Sequence, residues 1–120
     1  MERAGKVVQG SGPWDAPILF VGEAPGREEV LRGRPFIGPV GRSVRRLLSN
    51  HGVDPERDVR WNNVIPFDCG PLPSSHGGLV RVVREHWDWL EADLRRWTGK
   101  VVVACGRAAL VRLTDRTRIL

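Results

Sequence analysis

The stretch that most constrains the fold is Pro17-Ile18-Leu19-Phe20-Val21, an unbroken apolar run that stops abruptly at Gly22-Glu23-Ala24-Pro25-Gly26. A short run of this kind, partly β-branched and bounded by proline and glycine, describes a strand buried on both faces, because a half-exposed strand would alternate polar and apolar residues. Such a strand needs helices above and below it. From Val40 to Asn50 the spacing of Val40, Val44, Leu47 and Leu48 predicts an amphipathic helix with Arg42, Arg45 and Arg46 on its other side. A second strand is expected over Val59–Ile65, entered from a turn at Asp54-Pro55 and closed by Pro66, which has no N–H for a ladder bond. Asp68 to Gly78 is dense in Gly, Pro and Ser and reads as a surface loop. One long helix follows from Leu79 to Trp97, with Leu79, Val82, Val83, Leu90, Leu94 and Trp97 at three- and four-residue intervals. Val101 to Ala104 reads as a third buried strand, and Gly106 opens a short helix running through Leu113. Strands alternating with helices imply an α/β fold with three α/β/α layers around a short, mostly parallel central sheet, and no linker or repeat divides residues 1–120 into more than one domain.

Composition removes several classes. The hydrophobic share of 41% and charged share of 28% are those of an ordinary folded domain. No stretch approaches the ~20 apolar residues of a membrane helix, and Met1 to Lys6 lacks the apolar core of a signal peptide, so the expectation is a cytoplasmic protein with no membrane partner. Cys69 and Cys105 are too few for a secreted disulfide framework or a four-ligand metal site and read as reduced thiols. The net charge of +5, carried almost wholly by Arg, raises the expectation of a polyanionic partner such as nucleic acid.

In an open parallel sheet, ligands sit beyond the C-terminal ends of the strands, where Gly22–Gly41 follows the first strand and Asn63 closes the second. Gly22 and Gly26 allow the backbone close to a flat ligand, and Pro25 stiffens the turn. Gly38 and Gly41, with Arg42 beside them, stand at the start of the next helix, where amides and charge suit a phosphate. The run Gly22-Glu23-Ala24-Pro25-Gly26 followed by Gly33-Arg34-Pro35-Phe36-Ile37-Gly38 is neither a dinucleotide glycine fingerprint nor a Walker A loop, which needs Gly-Lys-Ser/Thr.

That loop resembles the first motif of family-4-type uracil-DNA glycosylases. The similarity extends through Trp61-Asn62-Asn63-Val64-Ile65-Pro66 and Val103-Ala104-Cys105-Gly106-Arg107-Ala108-Ala109-Leu110, and so covers the chain from about Pro17 to Leu113. The resemblance implies a DNA-repair enzyme that hydrolyses the glycosidic bond of a uracil flipped out of single- or double-stranded DNA, working as a monomer. It implies that the Gly22-Glu23-Ala24 backbone contacts the base, that Phe36 stacks on it, and that the Asn63 amide reads its Watson–Crick edge. Asn62 is the one-residue alternative, and position in the motif selects Asn63. Glu23, with Glu29 as a second candidate, would orient water and stabilise the positive charge developing on the sugar.

Members of this type continue to a final strand with a His-Pro-Ser motif and often carry a four-cysteine iron–sulfur cluster. This sequence reaches Leu120 with neither, and His51, His76 and His86 read as ordinary histidines, so no cofactor or metal is expected. Glu28-Glu29-Val30 stands where relatives often continue with Asp. The alternative function is therefore a truncated or diverged member that binds nucleic acid or a free base without catalysing. Trp87, Trp89 and Trp97 follow the core periodicity of their helix, while Trp14 and Trp61 are open to either packing or stacking.

Overall fold

The computed structural model describes residues 6–115. Three parallel strands, β1 (Ile18–Gly22), β2 (Val59–Asn63) and β3 (Val101–Ala104), form a sheet in the order β2-β1-β3. The apolar run of β1 thus takes the centre. Between β1 and β2 come α1 (Arg27–Arg32) and α2 (Pro39–Asn50); between β2 and β3 come α3 (His76–Glu85) and α4 (Trp87–Arg96); α5 (Arg107–Thr114) follows β3.

Side-chain alternation along the strands sorts the core into two. Leu19 and Val21 of β1 join Val64, Ile65 and the inner residues of α3, α4 and α5, including Leu79, Val83, Leu90 and Ala108. Phe20 of β1 joins Val59 and Trp61 of β2, with Val44 and Leu48 of α2 packed against them. One helix therefore covers the odd-numbered face of β2 and three cover the other, which is the expected three-layer arrangement.

Several expectations change in detail. The six-residue α1 lies within what reads in sequence as continuous loop. The long helix from Leu79 to Trp97 is two helices broken at His86, whose backbone leaves the helical region (φ −113°, ψ 21°) while its Nδ1 lies 2.9 Å from the Val82 carbonyl. β3 is not buried: Val101 is 53% and Val102 37% exposed. Its β-branched composition correctly marks a strand but carries no information on depth, and among the described residues it pairs only with β1. In α2 the inward positions are Gly41, Val44, Arg45 and Leu48, whereas Val40 and Leu47 are largely exposed. Trp61 is a buried packing residue, and the guanidinium groups of Arg60 and Arg96 both lie over the ring of Trp14.

Arg60 points from β2 to the α4 side, where it is 5% exposed. Its Nε and Nη2 donate to the two carboxylate oxygens of Asp93 at 2.8 and 3.2 Å, and its Nη1 donates to the Gly12 carbonyl. Removing Asp93 would leave a guanidinium charge buried with no counter-charge, the expensive way to break such a pair. Asp93→Ala is expected to cost about 3–5 kcal/mol in urea denaturation, and pairing Asp93→Leu with Arg60→Met to restore most of it. A single-variant cost no larger than the roughly 0–1 kcal/mol of an exposed pair would contradict this assignment.

Candidate functional site

At the C-terminal ends of the strands, the residues facing α2 are Asn63 on β2, Gly22 on β1, and Cys105 just beyond β3. Gly22 is paired in register with Asn63, and the pairing of Val21 with Ala104 brings Cys105 alongside Gly22. The ladder continues past the strands: Val64 N–H donates to the Gly22 carbonyl, Ile65 N–H to that of Glu23, and Cys105 N–H to that of Val21, at 2.8–2.9 Å. The row Asn63–Gly22–Cys105 is thus held by backbone bonds on both sides.

Gly22 makes the row a slot. A Cβ at this position would stand 2.5 Å from Asn63 Oδ1 and 2.8 Å from Phe36 Cζ, so both side chains occupy space that any other residue would fill. Around this point lies a cavity of about 270 Å³ lined by Glu23, Ala24, Phe36 and Asn63, with Pro25, Glu29, Val40, Gly41 and Cys105 completing its wall. The sequence-predicted Gly22, Ala24, Phe36 and Asn63 therefore come together. Asn62 points the other way, its Oδ1 accepting from Trp89 Nε1 at 3.2 Å, so the pleat separates the two asparagines as their adjacency requires.

Phe36 forms the wall opposite the sheet. Its ring lies 5.0 Å from that of Trp61 and 6.4 Å, edge-on, from that of Phe20. Its backbone has φ +57°, a left-handed conformation that strains a bulky residue by about 1–3 kcal/mol. Two features of α2 hold it there. Gly41 brings the helix so close that a Cβ would lie 2.2 Å from the Phe36 carbonyl group. One turn later, Arg45 donates from Nε to the Phe36 carbonyl at 2.8 Å and from Nη2 to that of Pro35 at 3.2 Å. Hydrogen bonds from a charged donor contribute about 1.5–3 kcal/mol each, enough for two to offset the strain.

The two candidate carboxylates are both engaged with backbone. Glu29 accepts at Oε1 from Gly26 N–H (2.9 Å) and at Oε2 from Gly38 N–H (2.7 Å), tying the start of α1 to the start of α2. Glu23 accepts at Oε2 from Ala108 N–H (3.0 Å) and so caps α5. The residues read as a phosphate cradle have other partners: the Gly38 amide serves Glu29, Gly41 packs on Phe36, and Arg42 Nη1 donates to the Ile37 carbonyl at 2.9 Å and reaches Glu28 at 3.3 Å.

Cys105, which in the sequence reads only as a reduced thiol, is a lining residue that sequence reasoning does not assign to the site. Its position just beyond β3, on the same pleat as Gly22 and Asn63, was the available signal. Burial pushes its thiol above the usual thiol range, so it is a neutral S–H at neutral pH. Cys69 packs against the core under α3–α5 and Cys105 against the core under α2, so the two thiols lie on opposite faces of the sheet. Among the described residues no group of three or more His, Cys, Asp or Glu side chains is placed to hold a metal ion. None of their helices is long and apolar enough to cross a membrane.

The chain is also similar in sequence to known proteins. A type-4 uracil-DNA glycosylase of Archaeoglobus fulgidus is 38% identical over 102 residues, covering 85% of this chain and 49% of that protein. A second, from Thermotoga maritima, is 35% identical over 117 residues, covering 94% of this chain and 57% of the relative. A third, from Sulfurisphaera tokodaii, is 46% identical over 101 residues, 83% of this chain and 44% of the relative. The chain spans about half the length of these relatives. The family model described as the uracil DNA glycosylase superfamily matches residues 9–119, from before β1 to beyond α5, and the chain belongs to that superfamily.

Proposed function

We propose that the slot receives a uracil turned out of DNA and that the protein hydrolyses the bond joining this base to deoxyribose. The observation that carries the reading is the convergence of Asn63 and Phe36 on the side-chain-free surface of Gly22. A base displaced from the stack needs a flat apolar wall and a polar group at its edge, and these residues supply both. The Asn63 amide presents one acceptor and one donor, matching N3–H and O4 of uracil, whereas cytosine offers an acceptor and a donor in the reversed order. With Asn63 only 5% exposed and its Oδ1 packed on Gly22, the amide has little room to turn over and accept the wrong pattern.

In the hydrolysis the glycosidic bond breaks with its electron pair leaving on N1 of uracil, and positive charge develops at C1′ of the sugar. Water adds its oxygen to C1′ and loses a proton, giving an abasic sugar and, after N1 is protonated, free uracil. Glu23 suits the carboxylate role: Oε2 is held by the Ala108 amide, which fixes the group at the cavity wall and leaves Oε1 to orient water or face the developing charge. Glu29, with both oxygens on backbone amides, suits a positioning role. The same observation favours one alternative, a base-binding protein without hydrolysis, since neither carboxylate is wholly uncommitted.

The test is cleavage of single- and double-stranded oligonucleotides bearing one uracil, read as alkali-labile abasic sites, with cytosine counterparts as controls. The wild-type protein is expected to act on uracil alone, and Gly22→Ala or Asn63→Ala to lower the rate at least about tenfold, equivalent to ~1.4 kcal/mol of barrier. Product no greater than that of Gly22→Ala would reject hydrolysis; uracil-dependent binding in the same samples would then favour the alternative.

The carboxylates separate in a second experiment. Glu29→Gln sets an NH₂ group against one of two backbone N–H donors and is expected to lower stability by about 1–3 kcal/mol in urea. Glu23→Gln keeps an oxygen for Ala108, so it should leave stability nearly unchanged while slowing excision. The opposite pattern would reverse the two roles.

A further inference from the structure

Of the three arginines of α2, only Arg45 turns inward: its side chain is 14% exposed, against 53% for Arg42, and Arg46 is exposed. Besides its bonds to the Pro35 and Phe36 carbonyls, Arg45 donates from Nη1 to Glu56 Oε2 at 2.9 Å. Its guanidinium lies 4.2 Å from the centre of the Trp61 ring, the same ring on which Phe36 packs. One side chain therefore grips the backbone of Phe36 and backs the aromatic support beneath it. A planar fork of donors is required for this: it bonds two successive carbonyls while its face rests on an indole, which a lysine ammonium cannot do.

The conformation at Phe36 gives the grip its purpose. At φ +57° a phenylalanine is off the backbone minimum, and an unrestrained chain would return to negative φ, carrying the ring away from Gly22. An apolar residue at position 45 would still fill the space over Trp61 but would leave both carbonyls without their donor.

We infer that Arg45 is the positioning residue of the aromatic wall: it holds Phe36 in the left-handed conformation that keeps the ring in the slot, and so sets the slot's affinity for a flat base without touching that base. What the ring does in the slot rests on the base-binding reading above; what Arg45 does to the ring rests on geometry alone.

The first measurement needs no ligand. In an NMR spectrum the ring resonances of Phe36 are expected to be displaced by the neighbouring Trp61 and Phe20 rings. In Arg45→Met they are expected to move towards unstructured values while the methyls of Val83 and Leu90, in the other core, keep their positions; Arg45→Lys should show a partial displacement. Phe36 resonances that stay in place in a folded Arg45→Met protein would overturn the inference. Should Arg45→Met fail to fold, Arg45→Lys answers the same question, and wild-type Phe36 resonances in it would overturn the two-carbonyl grip.

The second measurement compares binding of a single-stranded oligonucleotide carrying 2′-fluorodeoxyuridine, whose fluorine slows glycosidic cleavage, with one carrying a base-free analogue at the same position. Arg45→Met is expected to lower the preference for the base about tenfold, a shift of ~1.4 kcal/mol. Added to Phe36→Ala it should lower it little further, because the ring through which Arg45 acts is already gone; effects that multiply would show an independent role and sink the proposal. Absence of any base preference in the wild type, with Phe36 displaced in Arg45→Met, would reject the base-binding reading and leave the positioning role standing.

Discussion

The site depends on a side chain that is missing. Gly22 sits at the end of the central strand with Asn63 and Cys105 on its flanks, and the space its absent Cβ would take is occupied by the Asn63 amide and the edge of the Phe36 ring. The backbone cannot drift to make room, because ladder bonds from Val64, Ile65 and Cys105 carry the sheet beyond the end of the regular strands. A rigid floor, an open centre and two side chains leaning over it are the minimum for gripping a planar ligand by its face and its edge. The rest of the first loop maintains that arrangement.

It does so by giving polar side chains to the backbone. A segment as rich in glycine and proline as Gly22–Gly41 has few regular hydrogen bonds of its own, so its amides and carbonyls need partners from elsewhere. Glu29 supplies both acceptors for Gly26 and Gly38, Arg45 supplies donors for Pro35 and Phe36, and Glu23 joins the loop to the start of α5. Charged residues that stand near a cavity are readily taken for its chemistry. Here the partners distinguish them: Glu29 has both oxygens committed to the frame, whereas Glu23 has only one.

These commitments also explain which parts of the molecule could be read in advance. The central strand, the glycine loop and the alternation of strands and helices were legible because each rests on a local signal: an apolar run, a breaker, a period. The convergence of Gly22, Ala24, Phe36 and Asn63 was legible through motif resemblance and the rule that ligands bind at strand ends. The inward face of α2 was not, since two of its four positions are Gly41 and Arg45, and a hydrophobic pattern scores neither as core. Gly41 is inward because Phe36 needs the space, and Arg45 because two carbonyls need donors; both are tertiary demands with no trace in the periodicity of the helix. The depth of β3 was hidden for a related reason, as valine reports strand propensity whether or not another element covers it. The break at His86 was masked because apolar spacing continues across it in α3 and α4.

The two sides of the sheet divide stability from strain. Among the described residues, the core under α3, α4 and α5 contains ten buried residues, whereas the one under α2 contains three, Phe20, Val59 and Trp61. The strained Phe36, the close approach at Gly41 and the open surface at Gly22 all lie on the smaller side. Such features persist only where surrounding structure over-determines them. The larger core, joined to β2 through the buried Arg60–Asp93 pair, fixes β1 and β2 from behind, so the slot face need not supply the fold's stability as well. A sheet with equal cores would offer no side on which a void and a strained aromatic could be tolerated. The asymmetry of packing is therefore part of how this chain keeps an open slot, and it explains why the residues that shape the slot contribute so little apolar burial of their own.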